Sequence, residues 1–345
     1  MGYLFPGLPD EIGLECLLRL ELKSFHNVRP VCKRWNGILE NPKFYQERKR
    51  LKISEQRICM LQKVDGICDR VAVYDLNKNS CKSLPLIPTQ SLNVGMGGSV
   101  CHFHFVKQNL VLIKDVFCDS TRSCVWLYDF RNGGSKWRQG AKMPMDLQNG
   151  FASAADEHGG LIYVAGGFGD DTLNSPVRSA FVYNVEEDKW DVLPDMNTYL
   201  DFFLGAFVDG KFYVMGNPSG PSFEIFDSYT RSWKTMENRF NNRRCFVTAF
   251  GRLHCLSVRG LIEYDYSQDN VNIVGTFPTE DWGLSIKFAG VVSNKIIVGK
   301  KNPIEGQDFY MLAPPSETGG TLKLIGFERP SGLEGSTICA ATLDL

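Results

Sequence analysis

The stretch that decides the fold reads AADEHGGLIYVAGG from Ala154 to Gly167, followed after a loop by VYNVEEDKW from Val182 to Trp190. Each half is a pair of short apolar runs separated by Gly, Asp, Asn or Glu, the pattern of strands joined by tight turns. Together they describe strand, turn, strand, variable loop, strand, turn, strand.

The second half recurs along the chain as VYDLNKNSC from Val73, LYDFRNGGSKW from Leu127, IFDSYTRSW from Ile225 and EYDYSQDNV from Glu263. The aromatics Tyr74, Tyr128, Tyr183, Phe226 and Tyr264 are spaced by 54, 55, 43 and 38 residues, and Trp137, Trp190 and Trp233 mark a partner position. Leu84-Pro85, Met143-Pro144 and Leu193-Pro194 follow three of these signatures. The first half recurs as AFVDGKFYVMGN from Ala206, AFGRLHCLSV from Ala249 and VVSNKIIVGK from Val291. Four antiparallel strands in a unit of roughly 40 to 55 residues predict a β-propeller blade. Five full units follow residue 98, and a partial unit over 55–90 lacks its first strand. The terminal run GSTICAATLDL is expected to supply that strand and close a six-bladed ring, which removes exposed sheet edges.

Gly166-Gly167, with Tyr183 and Trp190 of the same unit, resembles the kelch repeat. Met215-Gly216-Asn217, Leu256-Ser257 and Val298-Gly299-Lys300 depart from its diglycine, and the last unit, around Tyr310, lacks the Trp. The resemblance implies an all-β kelch-type β-propeller over residues 55–345, preceded by a small α-helical module over 4–50.

That module begins with Pro9-Asp10-Glu11, a helix start with acids in the first turn. Ile12, Cys16 and Leu20, with Leu17 alongside, predict one buried stripe. Residues Lys23 to Val28 connect to a second helical segment, VRPVCKRWNGIL, in which Val31, Trp35, Ile38 and Leu39 share a face and Cys32 is expected to be buried. A last helix, Pro42 to Leu51, points Phe44 inward and Arg48, Lys49 and Arg50 outward. Leu8-Pro9, Cys16-Leu17, Val31-Cys32-Lys33-Arg34-Trp35 and the closing Pro42 and Phe44 resemble the F-box, in the right order. That resemblance implies docking on the Skp-family adaptor of a cullin-RING ubiquitin ligase, with Leu8, Pro9, Ile12, Leu17, Val31 and Trp35 forming or supporting the contact. A chain with both features resembles a group of plant proteins, members of which target phenylalanine ammonia-lyase, chalcone synthase or cytokinin response regulators. The function implied is substrate recognition for ubiquitination, with a phenylpropanoid enzyme the favoured substrate. The alternatives are a hormone-signalling regulator as substrate, or a kelch scaffold acting outside a ligase.

Charge and cysteine usage agree. The 345 residues carry a net charge of −1, split into +4 over residues 1–54 (10 basic, 6 acidic) and −5 over the remainder (28 basic, 33 acidic). Neither a global field for nucleic acid nor a membrane partner follows, and the basic run 48–52 is read as a solvated helix face rather than a nuclear signal. The 11 scattered cysteines point to free thiols in a reducing compartment. MGYLFPGLPDEIG has no signal-peptide character, no run of about 18 apolar residues occurs, and Pro218 spoils the one sequon-like triplet at Asn217. Cytosol or nucleus is the expected location.

Catalytic motifs are missing from the sequence: there is no P-loop, no zincin helix, no nucleophile elbow and no C-x-x-C. Gly95-Met96-Gly97-Gly98 opens no helix and is read as a turn between blades. In CHFHF, His102 and His104 share a strand face opposite Cys101, but no third ligand lies nearby, so they are read as blade-packing residues. No enzyme activity, metal or cofactor is expected. Binding then falls to the loops between second and third strands and between blades: residues 114–123, 169–174, 217–220 and 300–308, with Tyr199 to Phe203, Asn241 to Arg244 and Glu280 to Trp282. Asp170, Asp171, Tyr199, Phe202, Arg243, Arg244 and Trp282 are the candidate substrate contacts, and Phe203 is expected to enter the next inner strand.

Overall fold

The structure is a computed structural model that describes residues 3–344, apart from 65–66, 89–100, 115–123, 131–135, 148–149, 158, 170–174, 201–203, 217–221, 238–239, 241–242, 280–281, 293–294, 303–305, 314–318 and 328–335. The predicted turn Gly95–Gly98, Cys101's side-chain direction and the placement of Phe203 lie outside what is described.

The recurring Tyr-Asp or Tyr-Asn of the sequence is explained at the turn between third and fourth strands. In four of the units the Asp or Asn side-chain oxygen accepts backbone N–H groups two and three residues ahead, as Asp75 does from Asn77 and Lys78 at 3.1 and 3.0 Å. Asn184, Asp227 and Asp265 do the same. The turns end in left-handed residues, Asn79, Asp188, Arg231 and Asp269. The tyrosine hydroxyl then donates to that last residue in three of them: Tyr74 to Asn79 at 2.8 Å, Tyr264 to Asp269 at 2.9 Å, and Tyr183 to Asp188.

Six four-stranded antiparallel sheets result. The first blade is β4 (Cys101–Val106), β5 (Asn109–Lys114), β6 (Cys124–Asp129) and β7 (Arg138–Gln139). The second is β8 (Ala152–Asp156), β9 (Leu161–Ala165), β10 (Ala180–Asn184) and β11 (Lys189–Leu193). The third holds β12 (Leu204–Val208), β13 (Lys211–Met215), β14 (Ser222–Asp227) and β15 (Ser232–Glu237). The fourth holds β16 (Arg243–Ala249), β17 (Arg252–Ser257), β18 (Gly260–Asp265) and β19 (Asn270–Thr276). The fifth is β20 (Ile286–Val292), β21 (Lys295–Asn302), β22 (Gly306–Ala313) and β23 (Lys323–Phe327). The sixth has the order β24-β1-β2-β3, so β24 (Ser336–Asp344) is the first strand to β1 (Gln56–Val64), β2 (Ile67–Asp75) and β3 (Ser80–Ser83). The chain ends therefore close the ring in the arrangement the partial unit implies.

Blades are joined by three kinds of contact. Apolar clusters fill the space between sheets, such as Val111, Ile113, Val125 and Leu127 of the first blade against Ile162, Val164, Phe181 and Tyr183 of the second. The repeat tryptophans reach back to the preceding blade: Trp137 Nε1 donates to the Pro85 carbonyl at 2.8 Å, Trp190 to Ala141 at 3.0 Å and Trp233 to Pro194 at 2.7 Å. This gives Pro85 and Pro194 their place in the motif, while for Trp190 the acceptor is Ala141 and not Pro144. Around the axis, Thr248 Oγ1 donates to the Phe207 carbonyl, Thr342 Oγ1 accepts from Val291 N, and His104 Nε2 meets Ser153 Oγ at 2.7 Å. Inner strands pass so closely that a Cβ on Gly205 would sit 2.5 Å from the Ser153 carbonyl oxygen. Gly166 and Gly167 both have positive φ (72° and 92°), which is why the diglycine marks this blade.

The histidines of CHFHF are packing residues, as read. His102 stacks on Phe151 at 4.5 Å and lies parallel to His104 at 6.4 Å. Burial pushes their pKa values down, to about 3 for His102 and about 4 for His104. Unfolded imidazoles titrate near pH 6.5, so below that the unfolded chain binds more protons than the folded one. Stability is therefore full above about pH 6.5 and falls as pH drops toward 4. The urea midpoint should be lower at pH 5 than at pH 7, and a His102→Phe, His104→Gln variant should flatten that slope; an unchanged slope would contradict the burial.

The helical module corrects several sequence expectations. Its helices are α1 (Asp10–Leu18), α2 (Phe25–Val28), α3 (Lys33–Glu40) and α4 (Pro42–Arg50). α1 buries Gly13, Leu17 and Leu18, whereas Ile12 and Cys16 face solvent, so the predicted Ile12–Cys16–Leu20 stripe is not the core face. Cys32 is exposed rather than buried: it caps α3, its Sγ accepting from Trp35 N at 3.4 Å. Val31, in a 3₁₀ turn over Arg29–Val31, also faces outward. Phe44 is buried as expected, but Arg48 is too, at 1% exposure. A basic side chain at the end of an amphipathic helix is normally solvated; here unpaired carbonyls nearby reverse that.

Candidate interaction surfaces

Two surfaces stand out. The first is the outward face of the helical module. Pro9 precedes α1, and the Asp10 carboxylate locks the entry, accepting from Leu4 N at 2.5 Å and pairing with Arg34 at 2.5 Å. The Arg34 guanidinium and the Leu4 N–H hold its pKa below the usual carboxylate value. Trp35 is half-buried, its ring tilted against Phe5 at 4.5 Å, with Nε1 donating to the Leu4 carbonyl at 2.9 Å. Leu17 is fully interior. Inside this frame, Leu8, Ile12, Leu14 and Val31 stand exposed, at 39, 51, 38 and 58%, with Pro9, Pro30, Cys16 and Cys32 also exposed. So of the six residues singled out by sequence, Leu8, Pro9, Ile12 and Val31 are at the surface, while Leu17 and Trp35 lie behind it. Leu14 was not singled out, because its neighbours in the helix period are mixed.

Arg48 was missed. It donates to the carbonyls of Leu18 and Leu20, both at 2.6 Å, and of Ile53 at 3.3 Å, and its guanidinium lies over the Phe25 ring. Burial lowers its pKa, and Glu55, 4.0 Å away, works the other way. Glu55 also accepts from Leu22 N at 2.6 Å and pairs with Arg57, while Lys78 in a turn of the closing blade pairs with Glu21 at 3.1 Å. The helical module is thus fixed to the turn-bearing end of the closing blade. No sequence pattern marks Arg48; only the burial of its neighbours does.

The second surface is the opposite end of the propeller, where second-to-third-strand loops and inter-blade connections gather. Tyr199 is exposed at 62%, with the Arg178 guanidinium 5.3 Å from its ring centre. Its segment is held from below by Glu224 on β14, fully buried, which accepts from Asn197 N at 2.8 Å and from Thr198 N and Oγ1 at 2.5 Å each. A buried carboxylate with three donors resists substitution: Glu224→Gln, which offers one acceptor oxygen, should cost about 2 to 3 kcal/mol in a urea denaturation, and a loss under ~0.5 kcal/mol would contradict this role.

The other loop candidates fare differently. Trp282 is buried (8%), wedged against Phe277 at 4.4 Å and Tyr310 at 5.3 Å, because the fifth blade lacks its own Trp and this one fills the gap. Arg243 and Arg244 begin β16 instead of lying in a loop. Most of 300–308 is strand, in β21 and β22. Asp170, Asp171 and Phe202, with loops 115–123 and 217–220, lie outside the described residues. The axial cavity, about 870 Å³, is walled by Phe105, Tyr163, Phe207 and small residues, and its His104, Ser153, Thr248 and Thr342 are engaged in the bridges between inner strands. Among the described residues no group of three or more His, Cys, Asp or Glu is arranged to hold a metal.

The family model for the F-box domain matches residues 5–47, and that for the Kelch motif matches 152–197, which is the second blade and its exit. Three F-box/kelch-repeat proteins of Arabidopsis thaliana are similar to the chain. One is 28% identical over 326 residues, covering 86% of this chain and 88% of the relative. The second is 29% identical over 256 residues, covering 69% and 70%. The third is 30% identical over 276 residues, covering 68% and 65%.

Proposed function

We propose that this chain, an F-box/kelch-repeat protein of the plant type, is the substrate-recognition subunit of a Skp–cullin–F-box ubiquitin ligase. An F-box implies a Skp-family adaptor as partner. The observation that carries the reading is the exposed apolar set Leu8, Pro9, Ile12, Leu14 and Val31 on helices whose own core is closed. Burying such a patch on a partner removes it from water, at about 25 cal/mol per Å².

In this proposal catalysis belongs to other subunits. The chain binds a protein on the loop end of the propeller and the adaptor on the helical module at the other end, which raises the effective concentration of substrate lysines near the charged conjugating enzyme. The substrate expected from the family resemblance, an enzyme of phenylpropanoid metabolism, and work in the cytosol or nucleus are parts of the same proposal.

The test is ubiquitin transfer in a reconstituted complex of the full-length chain, adaptor, cullin and RING subunit, with phenylalanine ammonia-lyase as substrate. Transfer that needs the chain and is lost with Leu8→Ala, Pro9→Ala supports the proposal. Transfer that persists with that variant removes the F-box from the mechanism, and failure of the lyase alone, with the complex assembled, removes the substrate assignment.

A further inference from the structure

Among the described residues most turn-end cations of the propeller are paired, Arg231 and Lys295 being exceptions, while three at the loop end are not. At the turn end, Lys78, Lys107, Arg138, Lys189, Lys211 and Arg252 are each paired with a carboxylate. At the loop end, Arg178, Arg259 and Lys300 have no acidic partner among the described residues. Two of these three are held over aromatic rings: Arg178 over Tyr199 at 5.3 Å, and Lys300 over Trp282 at 4.9 Å. Stacking on a ring fixes the direction of a cation without neutralising it.

The Arg178 site is also built from below. Arg178 directs Nη1 toward the Asn197 carbonyl at 3.5 Å, its own carbonyl accepts from Met196 N at 2.8 Å, and buried Glu224 pins Asn197 and Thr198. The Tyr199 ring is thereby presented to solvent on a segment, residues 196–200, already held by hydrogen bonds, so little freedom is lost there when a partner lands on it. Arg259 sits in the turn between β17 and β18, and the Gly283 backbone, beside Trp282, packs on the Val258 carbonyl, which joins Arg259 and Lys300 into one neighbourhood.

We propose that the loop end of the propeller binds an acidic peptide segment of its partner, with carboxylates seated on Arg178 at the second-to-third blade junction and on Arg259 and Lys300 at the fourth-to-fifth, and with the Tyr199 ring as the apolar contact. A planar guanidinium over an exposed tyrosine suits a carboxylate and its adjoining peptide plane. The proposal rests on the loop end being the substrate surface.

The probe is a fluorescein-labelled peptide of alternating Glu and Tyr, beside a counterpart with Gln for each Glu, titrated with the full-length chain in complex with its adaptor. The wild type should bind the Glu peptide at least tenfold more tightly than the Gln peptide, with the difference shrinking as salt is raised. Arg178→Glu with Lys300→Glu should remove that preference, and Arg178→Gln, which removes the charge but keeps a polar side chain, should remove part of it. Lys82→Glu with Lys234→Glu, an equal charge change at exposed positions of β3 and β15, should leave it intact. No preference in the wild type, or a preference that survives the double reversal in a chain that still melts like wild type, overturns the proposal. Acidic preference in a chain that fails to hold the adaptor would instead sink the ligase reading and leave this one standing.

Discussion

Arg48→Ala should be the most damaging single substitution in the helical module, costing about 3 to 5 kcal/mol. Its guanidinium is the shared partner of three backbone carbonyls, those of Leu18 and Leu20 at the end of α1 and of Ile53 just before the first strand. Removing it leaves those acceptors buried without donors and leaves Glu55 facing the Arg57 pair alone. The helices are short, so they depend on this junction and on the propeller for their apolar cover. Unfolding followed by both tryptophan fluorescence and far-UV circular dichroism should then resolve two transitions, the helical module melting before the propeller. Arg48→Lys, a single ammonium on a shorter reach, should recover only part of the loss. An Arg48→Ala chain that melts in one transition near the wild-type midpoint would show that the junction is held by other contacts.

The second large effect concerns binding, with folding spared. Ile12→Glu combined with Val31→Glu should weaken adaptor capture by more than about a hundredfold, because each places a charge where a desolvated apolar contact is required. Both residues are more than half exposed, at 51 and 58%, so the melting temperature should stay close to wild type. Leu17→Ala gives the contrast: capture should fall there through loss of the fold, since Leu17 is 1% exposed. Equal losses of stability in the surface and core variants would mean that Ile12 and Val31 support the module and do not face a partner.

Much of the fold was legible because the propeller repeats its physics. The Asp and Asn of the third-strand signature make the same side-chain-to-backbone turn in blade after blade, and in two of three cases the repeat Trp and the preceding blade's Pro are two ends of one hydrogen bond between blades. The missing strand of the first unit could be assigned to the far end of the chain because an unclosed sheet is costly. The helical module was harder to read. Its helices span at most nine residues, too few turns for periodicity to separate a core stripe from an apolar binding stripe, so Ile12 and Cys16 were placed inward when they point out. Arg48 was placed outward because nothing local in sequence reveals unpaired carbonyls contributed by α1 and by the segment ahead of β1. Trp282 carried a similar ambiguity: an aromatic residue in a connection between blades fits a binding contact and a plug for a blade without its own Trp equally well, and the fifth blade uses it as the plug. Arg178, a half-buried residue between strands, has no local sequence signal, because its ring partner Tyr199 lies on a separate connection between blades.

The most direct test of the ligase account is a calorimetric titration of the full-length wild-type chain with a purified Skp-family adaptor. The account predicts saturable binding at one adaptor per chain, with a negative heat-capacity change from burial of the Leu8, Pro9, Ile12 and Val31 face. No binding, by a chain whose melting curve shows both modules folded, would contradict it and leave a kelch propeller with a helical cap of some other purpose.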